Sequence, residues 1–122
     1  NDKFMCFPMD YYELMALKKV NKQNGVVFLT GDRHHSEVIK AERPGTYPLY
    51  DVTVSSLTAG VSGFSGAEKE NKARLLGIVQ NNYGRISVTG SKGKRQLKVE
   101  FIGTKGDKLG EWSVMEGELK SP

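Results

Sequence analysis

Val26-Val27-Phe28-Leu29-Thr30 is a continuous apolar run on which the interpretation of this 122-residue chain depends. A short run without alternation is typical of a strand that is buried on both faces in an α/β sheet. Just before it, Asp10 as an N-cap and apolar residues at helical spacing from Tyr11 to Val20 predict an amphipathic helix, which Asn24-Gly25 ends. The sequence therefore predicts one helix that leads into a central, buried strand.

Shorter β patterns follow this strand. Residues 37–40 and 49–56 have the composition of further strands, and residues 59–74 form a glycine-rich stretch that predicts a long loop. The later strands are predicted at Arg85–Thr89, Gln96–Ile102 and Gly110–Met115, joined by glycine-containing turns.

These patterns predict a single α+β domain over residues 1–122. It consists of a helix, strand and motif region at 1–58, the loop at 59–74, and an antiparallel β meander at 75–122. We expect the hairpins of the meander to continue the sheet that contains the central strand.

Composition limits the class of protein. With 38% hydrophobic residues, 26% charged residues and a single cysteine, the chain has the makeup of a folded domain without an internal disulfide. No run of about 18 apolar residues is present, so the sequence predicts no membrane span.

The formal net charge of +4 comes from one stretch, between Ser91 and Lys108, which holds six basic and two acidic residues. Such a basic patch can bind nucleic acid. Within residues 96–102, however, alternation places Lys98 and Glu100 on the face opposite the apolar side chains, and few aromatic residues are interleaved. We therefore expect a solvated sheet face and no nucleic-acid partner.

Gly31-Asp32-Arg33-His34-His35-Ser36-Glu37 is the densest cluster of ionisable side chains and holds both histidines of the chain. It directly follows the predicted central strand, and ligands bind beyond the carboxyl ends of strands in open α/β sheets. Asp32 and His34, two positions apart in an extended chain, would point the same way and suit Zn, Mn or Fe. A hydrogen-bonded loop without a metal remains the alternative, because two ligands do not complete a metal site.

Residues 25–37 also resemble the last metal-binding motif of alkaline phosphatase D-like (PhoD-like) enzymes, in the calcineurin-like metallophosphoesterase superfamily. In that family an apolar strand ends in a Gly-Asp-x-His signature, where the wider superfamily has Gly-His-x-His. Tyr12-Glu13-Leu14-Met15, residues 47–58 and Asn82-Tyr83-Gly84 are further points of similarity, so the resemblance covers most of the chain in order. It implies the C-terminal part of a four-layer αββα sandwich.

The resemblance implies a phosphohydrolase that acts on phosphate mono- or diesters with two metal ions, drawn from Zn, Mn, Fe or Ca. His34 matches the final histidine ligand of the motif, and Asp32 stands where the wider superfamily has its first histidine. By neighbourhood, His35 is expected as a catalytic proton donor or a group supporting the ligands, and Arg33 as a phosphate contact. The family suggests a secreted or periplasmic bacterial enzyme.

The chain also departs from the family pattern. The earlier motifs of the family, Asp-x-His, Gly-Asp-x-x-Asp and Gly-Asn-His, do not occur ahead of residues 31–37. Because the chain also begins at Asn1, we expect the C-terminal portion of a longer enzyme, with the N-terminal part of the same chain as its partner. Alone, this portion is expected to be inactive. The alternative function is a non-catalytic β-rich module that binds an anionic partner through its basic hairpins.

Overall fold

The computed structural model describes residues 12–17 and 23–122, which form a small α+β fold with one α-helix and two β-sheets. The helix includes residues 12–17, as the apolar spacing predicts, while its predicted N-cap Asp10 and the last residue of the apolar spacing, Val20, lie outside the described residues. Met15 Sδ accepts a hydrogen bond of 3.7 Å from Nη1 of Arg43. The helix therefore lies beside the connection between the second and third strands.

Seven strands occur in the described part of the chain: β1 (Val27–Thr30), β2 (Ser36–Ala41), β3 (Leu49–Thr53), β4 (Arg74–Ile78), β5 (Asn82–Thr89), β6 (Gln96–Gly103) and β7 (Lys108–Met115). The first sheet has the order β1-β3-β2-β4, in which β1 and β3 are parallel and the other pairs are antiparallel. The second sheet is the antiparallel meander β5-β6-β7. Two short 3₁₀ helices lie at Gly66–Glu68 and Glu116–Leu119.

β1 is the strand that the sequence predicts to be central and buried on both faces, and this prediction was wrong about its surroundings. Among the described residues β1 pairs with β3 alone, at the edge of the first sheet, and Leu29 is 58% exposed. The interior of the sheet belongs to β2 and β3, where Val38 and Val52 are fully buried. The apolar run specifies a strand, but the order of strands depends on pairing with distant segments.

The hairpins form a second sheet, whereas the sequence predicts that they continue the first. The physical reason is that each sheet has one apolar face, and packing the two faces together buries both. Side chains of Val99 and Phe101 in β6 meet those of Val38, Val52 and Ile78 from the first sheet. As predicted, Lys98 and Glu100 alternate with these buried residues and face outward.

The strand directions bring two loops to the same end of the first sheet. Because β1 and β3 are parallel, residues 31–35 and residues 54–60 both leave the sheet there, and β2 begins beside them. Residues 59–73, called the glycine-rich loop below, then cross from this end to the start of β4, where Arg74 pairs with Ile39 of β2. In the part of the chain that the structure describes, no helix is long and apolar enough to cross a membrane.

Candidate functional site

The two loops at the end of the first sheet contain an unusual backbone. Asp32, His34 and Ser56 have φ angles of 59°, 58° and 65°, and they are the described non-glycine residues with positive φ. This left-handed conformation costs about 1–3 kcal/mol per residue and persists only where surrounding contacts enforce it. Asp32 and His34 lie in residues 31–37, where the sequence places the candidate site, and Ser56 lies in the neighbouring loop at the same end of the sheet.

Ser55 holds the loop between β1 and β2 in this conformation. Its Oγ accepts hydrogen bonds from the backbone N–H groups of Arg33, at 3.1 Å, and His34, at 3.0 Å. The N–H of Ser55 donates to Ser36 Oγ at 3.1 Å, and the Ser36 hydroxyl donates to Asn82 Oδ1 at 2.8 Å. Ser36 and Asn82 are buried, so this network is rigid and connects the loop to the start of β5.

His34 is solvent-exposed and is oriented by the glycine-rich loop. Its Nδ1 lies 2.6 Å from the carbonyl oxygen of Gly60, and its own carbonyl accepts a hydrogen bond of 2.8 Å from the Ser62 N–H. A carbonyl oxygen only accepts, so the proton must be on Nδ1, and the lone pair of the neutral ring is on Nε2. Histidines that bind metals have this arrangement, in which the second ring nitrogen donates to a carbonyl or carboxylate.

Asp32 is exposed beside His34, but the two do not lie on an extended chain. The sequence predicts that they point the same way because it assumes an extended backbone. That assumption was wrong, because both residues have left-handed φ angles and the chain bends at residues 33–35. Over the described ranges, no three His, Cys, Asp or Glu side chains are grouped so that they could hold a metal ion. These residues therefore offer an imidazole and a nearby carboxylate.

His35 is turned the opposite way from the exposed His34 and is only 2% exposed. Its Nε2 lies 3.6 Å from Glu37 Oε1, and Glu37 Oε2 in turn accepts a hydrogen bond of 2.9 Å from Arg74 Nε. Neither ring nitrogen of His35 has a hydrogen-bond partner among the described residues. His35, Glu37 and Arg74 form a buried cluster of ionisable side chains on the outer face of the first sheet, which is the face turned away from the second sheet.

Arg33 is directed to the glycine-rich loop, where its Nη2 forms an ion pair with Glu68. The guanidinium is mostly buried, and its Nη1 has no hydrogen-bond partner in the described part of the chain. A carboxylate and a phosphate present similar oxygen acceptors to a guanidinium. The predicted anion-binding side chain therefore has an anionic partner from its own chain.

Asp51 adds a second carboxyl group to the outer face of the first sheet. Burial raises the pKa of the Asp51 carboxyl, and the negative charge of Glu37 adds to this effect. A hydrogen bond of 2.7 Å from the Thr30 hydroxyl to Asp51 Oδ1 opposes it. The side chain is half-buried, so its charge is screened in part by solvent.

The basic hairpins have a different character. Arg85 donates to Glu100 at 3.1 Å across the outer face of the second sheet, and this hydrogen bond lowers the pKa of the Glu100 carboxyl. At the turn between β5 and β6, the Glu116 carboxylate accepts the N–H groups of Arg95 and Gly93, which lowers the pKa of Glu116. Acidic groups thus accompany the basic ones on this sheet.

Several residues that build the site are absent from the sequence-based set of Asp32, Arg33, His34 and His35. Ser55 is identifiable from the sequence only as a hydrogen-bonding residue at a strand end, and Asn82 only as part of the Asn-Tyr-Gly segment that opens the meander. Phe64, Glu68 and Arg74 give no local signal, since they lie in or directly after the glycine-rich loop and reach the site only when that loop packs on the first sheet.

Comparison with protein-family models, with curated proteins and with solved structures found no match for this chain.

Proposed function

We propose that this chain contributes the last metal-binding motif of a metal-dependent phosphohydrolase, which hydrolyses phosphate mono- or diesters. The observation that carries the proposal is the arrangement of His34. Its ring is exposed at the end of the first sheet, its Nδ1–H is committed to the Gly60 carbonyl, and its Nε2 lone pair is left for a ligand. This is the histidine that the Gly-Asp-x-His resemblance assigns to a metal.

The donor atoms fit part of a metal site. An imidazole nitrogen from His34 and a carboxylate from Asp32 suit Zn, Mn or Fe, and further ligands must come from outside the described residues. Held by these residues, such an ion would supply activation of water near neutral pH and neutralisation of charge on the phosphoryl oxygens. The contribution of this chain is to hold the ligands still, which Ser55 does through the backbone of Arg33 and His34.

The other two predicted site residues take different roles in the proposal. Arg33 contacts phosphate if the substrate displaces Glu68 from the guanidinium, which is an exchange of one anion for another. His35 is buried behind the glycine-rich loop, so its proposed role is to support the metal-binding loop from beneath. Direct proton donation by His35 stays a prediction and requires that loop to open.

The test is metal content and hydrolysis measured together on the full-length protein. We expect His34→Ala to remove at least one bound metal ion and to abolish cleavage of p-nitrophenyl phosphate and bis(p-nitrophenyl) phosphate. Asp32→Ala is expected to weaken metal binding as well, whereas Glu70→Ala, which removes an exposed acid from the glycine-rich loop, is the matched control and leaves both unchanged. Unchanged metal content in His34→Ala contradicts the proposal.

A second candidate function rests on the turn between β5 and β6, where Lys92, Lys94 and Arg95 are all exposed. A cluster of this kind can bind an anionic partner without catalysis. Charge reversal at Lys92, Lys94 and Lys98 is then expected to abolish retention on a heparin matrix and to leave hydrolysis unchanged. If the charge-reversed protein is retained as before, this candidate is excluded.

A further inference from the structure

Phe64 is the aromatic side chain of the glycine-rich loop, and it is inserted into a cradle on the outer face of the first sheet. Its ring centroid lies 4.5 Å from that of His35, at an interplanar angle of 55°. On another side, the guanidinium carbon of Arg74 lies 3.7 Å from the ring centroid, in a cation–π contact. The buried cluster of His35, Glu37 and Arg74 therefore forms the seat for one aromatic ring.

The Phe64 ring packs directly against the backbone of Gly77. A Cβ atom at this position of β4 would lie 2.8 Å from Phe64 Cε2 and 2.9 Å from Phe64 Cζ, which is closer than van der Waals contact permits. Any larger residue at position 77 thus requires the ring to move. The register of the sheet places Gly77 directly opposite Glu37, so the cradle belongs to the part of the sheet that also supports His35.

The seat of Phe64 is linked to His34 through the loop itself. Gly60 and Ser62, which hold the His34 ring and backbone, lie four and two positions before Phe64. On the other side of Phe64, Glu68 closes the ion pair with Arg33. Among the described residues of this segment, Phe64 is the large apolar side chain that packs on the sheet. Val61 is exposed, and the remaining residues are polar or small.

We propose that Phe64 is a positioning residue for the metal-binding histidine. By seating the glycine-rich loop over Gly77, it holds the Gly60 carbonyl, which also accepts a hydrogen bond of 3.1 Å from the Ser56 hydroxyl, against Nδ1 of His34. It thereby fixes the tautomer that directs the Nε2 lone pair outward. The tautomer of a histidine is set by the hydrogen bond that its other nitrogen makes. The metal-binding part of this inference rests on the proposed function, whereas the effect on the tautomer does not.

The tautomer is measured directly on ¹⁵N-labelled full-length protein, without metal and at a pH where the imidazole is neutral, by long-range ¹H–¹⁵N correlation of the ring. We expect His34 to show a protonated Nδ1 and an unprotonated Nε2. In Phe64→Ala, the Gly60 carbonyl keeps the Ser56 hydroxyl as a partner but the loop loses its apolar anchor, and the His34 ring is expected to show the averaged nitrogen signals of an exposed histidine. A spectrum with the proton on Nε2 in the unmodified protein overturns the proposal.

Gly77→Ala is the second variant and leaves Phe64 in the sequence. The added methyl group displaces the ring, so this variant is expected to give the same averaged signals as Phe64→Ala. Gly63→Ala is the matched control, because it makes the same substitution beside Phe64 at a position with nothing within 4 Å, and it retains the Nδ1–H signature. A Gly77→Ala protein with unchanged His34 signals overturns the proposal, even if Phe64→Ala does not fold.

Zn²⁺ affinity separates this inference from the proposed function. If both hold, Phe64→Ala and Gly77→Ala raise the dissociation constant for Zn²⁺ about 10–100-fold, as loss of a group supporting a metal ligand does. If the tautomer changes as expected but His34→Ala keeps its full metal content, the seating of the loop by Phe64 is supported and the metal role of His34 is rejected. If the tautomer does not change, the positioning role fails whatever the metal content.

Discussion

The two sheets of this protein differ in how closely they follow the local rules of β structure. In the second sheet, apolar and polar residues alternate, the strands run antiparallel in sequence order, and the charged pairs lie at the surface. The first sheet mixes parallel and antiparallel pairs, buries His35 and Glu37, and ends in loops with left-handed non-glycine residues. Buried charge and backbone strain reduce stability, and proteins retain such features where a site requires them. The difference locates the candidate site in the first sheet.

The largest expected effect tests where the core lies. Phe101→Ala, in β6, empties a fully buried position and is expected to lower the free energy of unfolding by about 3–5 kcal/mol. Leu29→Ala, in β1, changes a largely exposed side chain and is expected to cost less than about 1 kcal/mol. Urea denaturation followed by circular dichroism measures both. Equal losses would show that β1 is covered in solution.

The next comparison concerns one ion pair from each sheet. Arg74→Met leaves the buried carboxylate of Glu37 without its partner and is expected to lower stability by about 3 kcal/mol. Arg85→Met breaks the pair with Glu100 at an exposed position, where the expected loss is at most about 1 kcal/mol. Thermal and urea denaturation report the two values. A small loss for Arg74→Met would mean that water or another group compensates Glu37.

The backbone of the two regions gives a smaller contrast. Gly106, in the turn before β7, has φ +78° and nothing within 4 Å of its missing Cβ, so Gly106→Ala tests conformation alone and is expected to cost about 1 kcal/mol. Asp32 is the opposite case, because a non-glycine residue has the left-handed φ angle of 59° that favours glycine. Asp32→Gly is expected to raise stability by up to about 1 kcal/mol while it weakens metal binding. A destabilised Asp32→Gly protein would show that the aspartate is structural.

The smallest effect concerns pH. Because burial raises the pKa of Asp51 in the folded state, the unfolded chain loses this proton first as pH rises, and the free energy of unfolding falls through the pH range between the two pKa values. Asp51→Asn is therefore expected to raise stability at pH 7, by less than about 1 kcal/mol. Below the ordinary carboxyl range, where both states are protonated, the difference disappears.

Denaturation midpoints of Asp51→Asn across pH 3–8 test this sign, with Glu70→Gln, at an exposed position, as the control that shows no such dependence. Greater stability of the unmodified protein at pH 7 would indicate that the charged form of Asp51 is favoured in the fold.

Local sequence patterns predicted the secondary-structure elements better than they predicted the position of each element in the fold. Alternation in residues 96–102 gave both the strand β6 and its faces, because period-2 alternation directly reflects the pleat. The apolar run of β1 gave a strand but the wrong position in the sheet, since an edge strand and a central strand can have the same short apolar sequence. At the site, the sequence identified the loop that holds His34. It did not identify Ser55 or Phe64, which act across 21 and more positions of the chain.

The sequence by itself determined where the strands other than β4 form in the described chain and which residues near β1 have the chemistry of a metal ligand, because these depend on neighbouring residues. Tertiary structure alone decided which of two adjacent histidines is exposed. His34 faces solvent and donates to Gly60, whereas His35 lies under Phe64 beside Glu37. The physical reason is that burial and hydrogen bonding are set by groups that meet only when the glycine-rich loop packs on the first sheet.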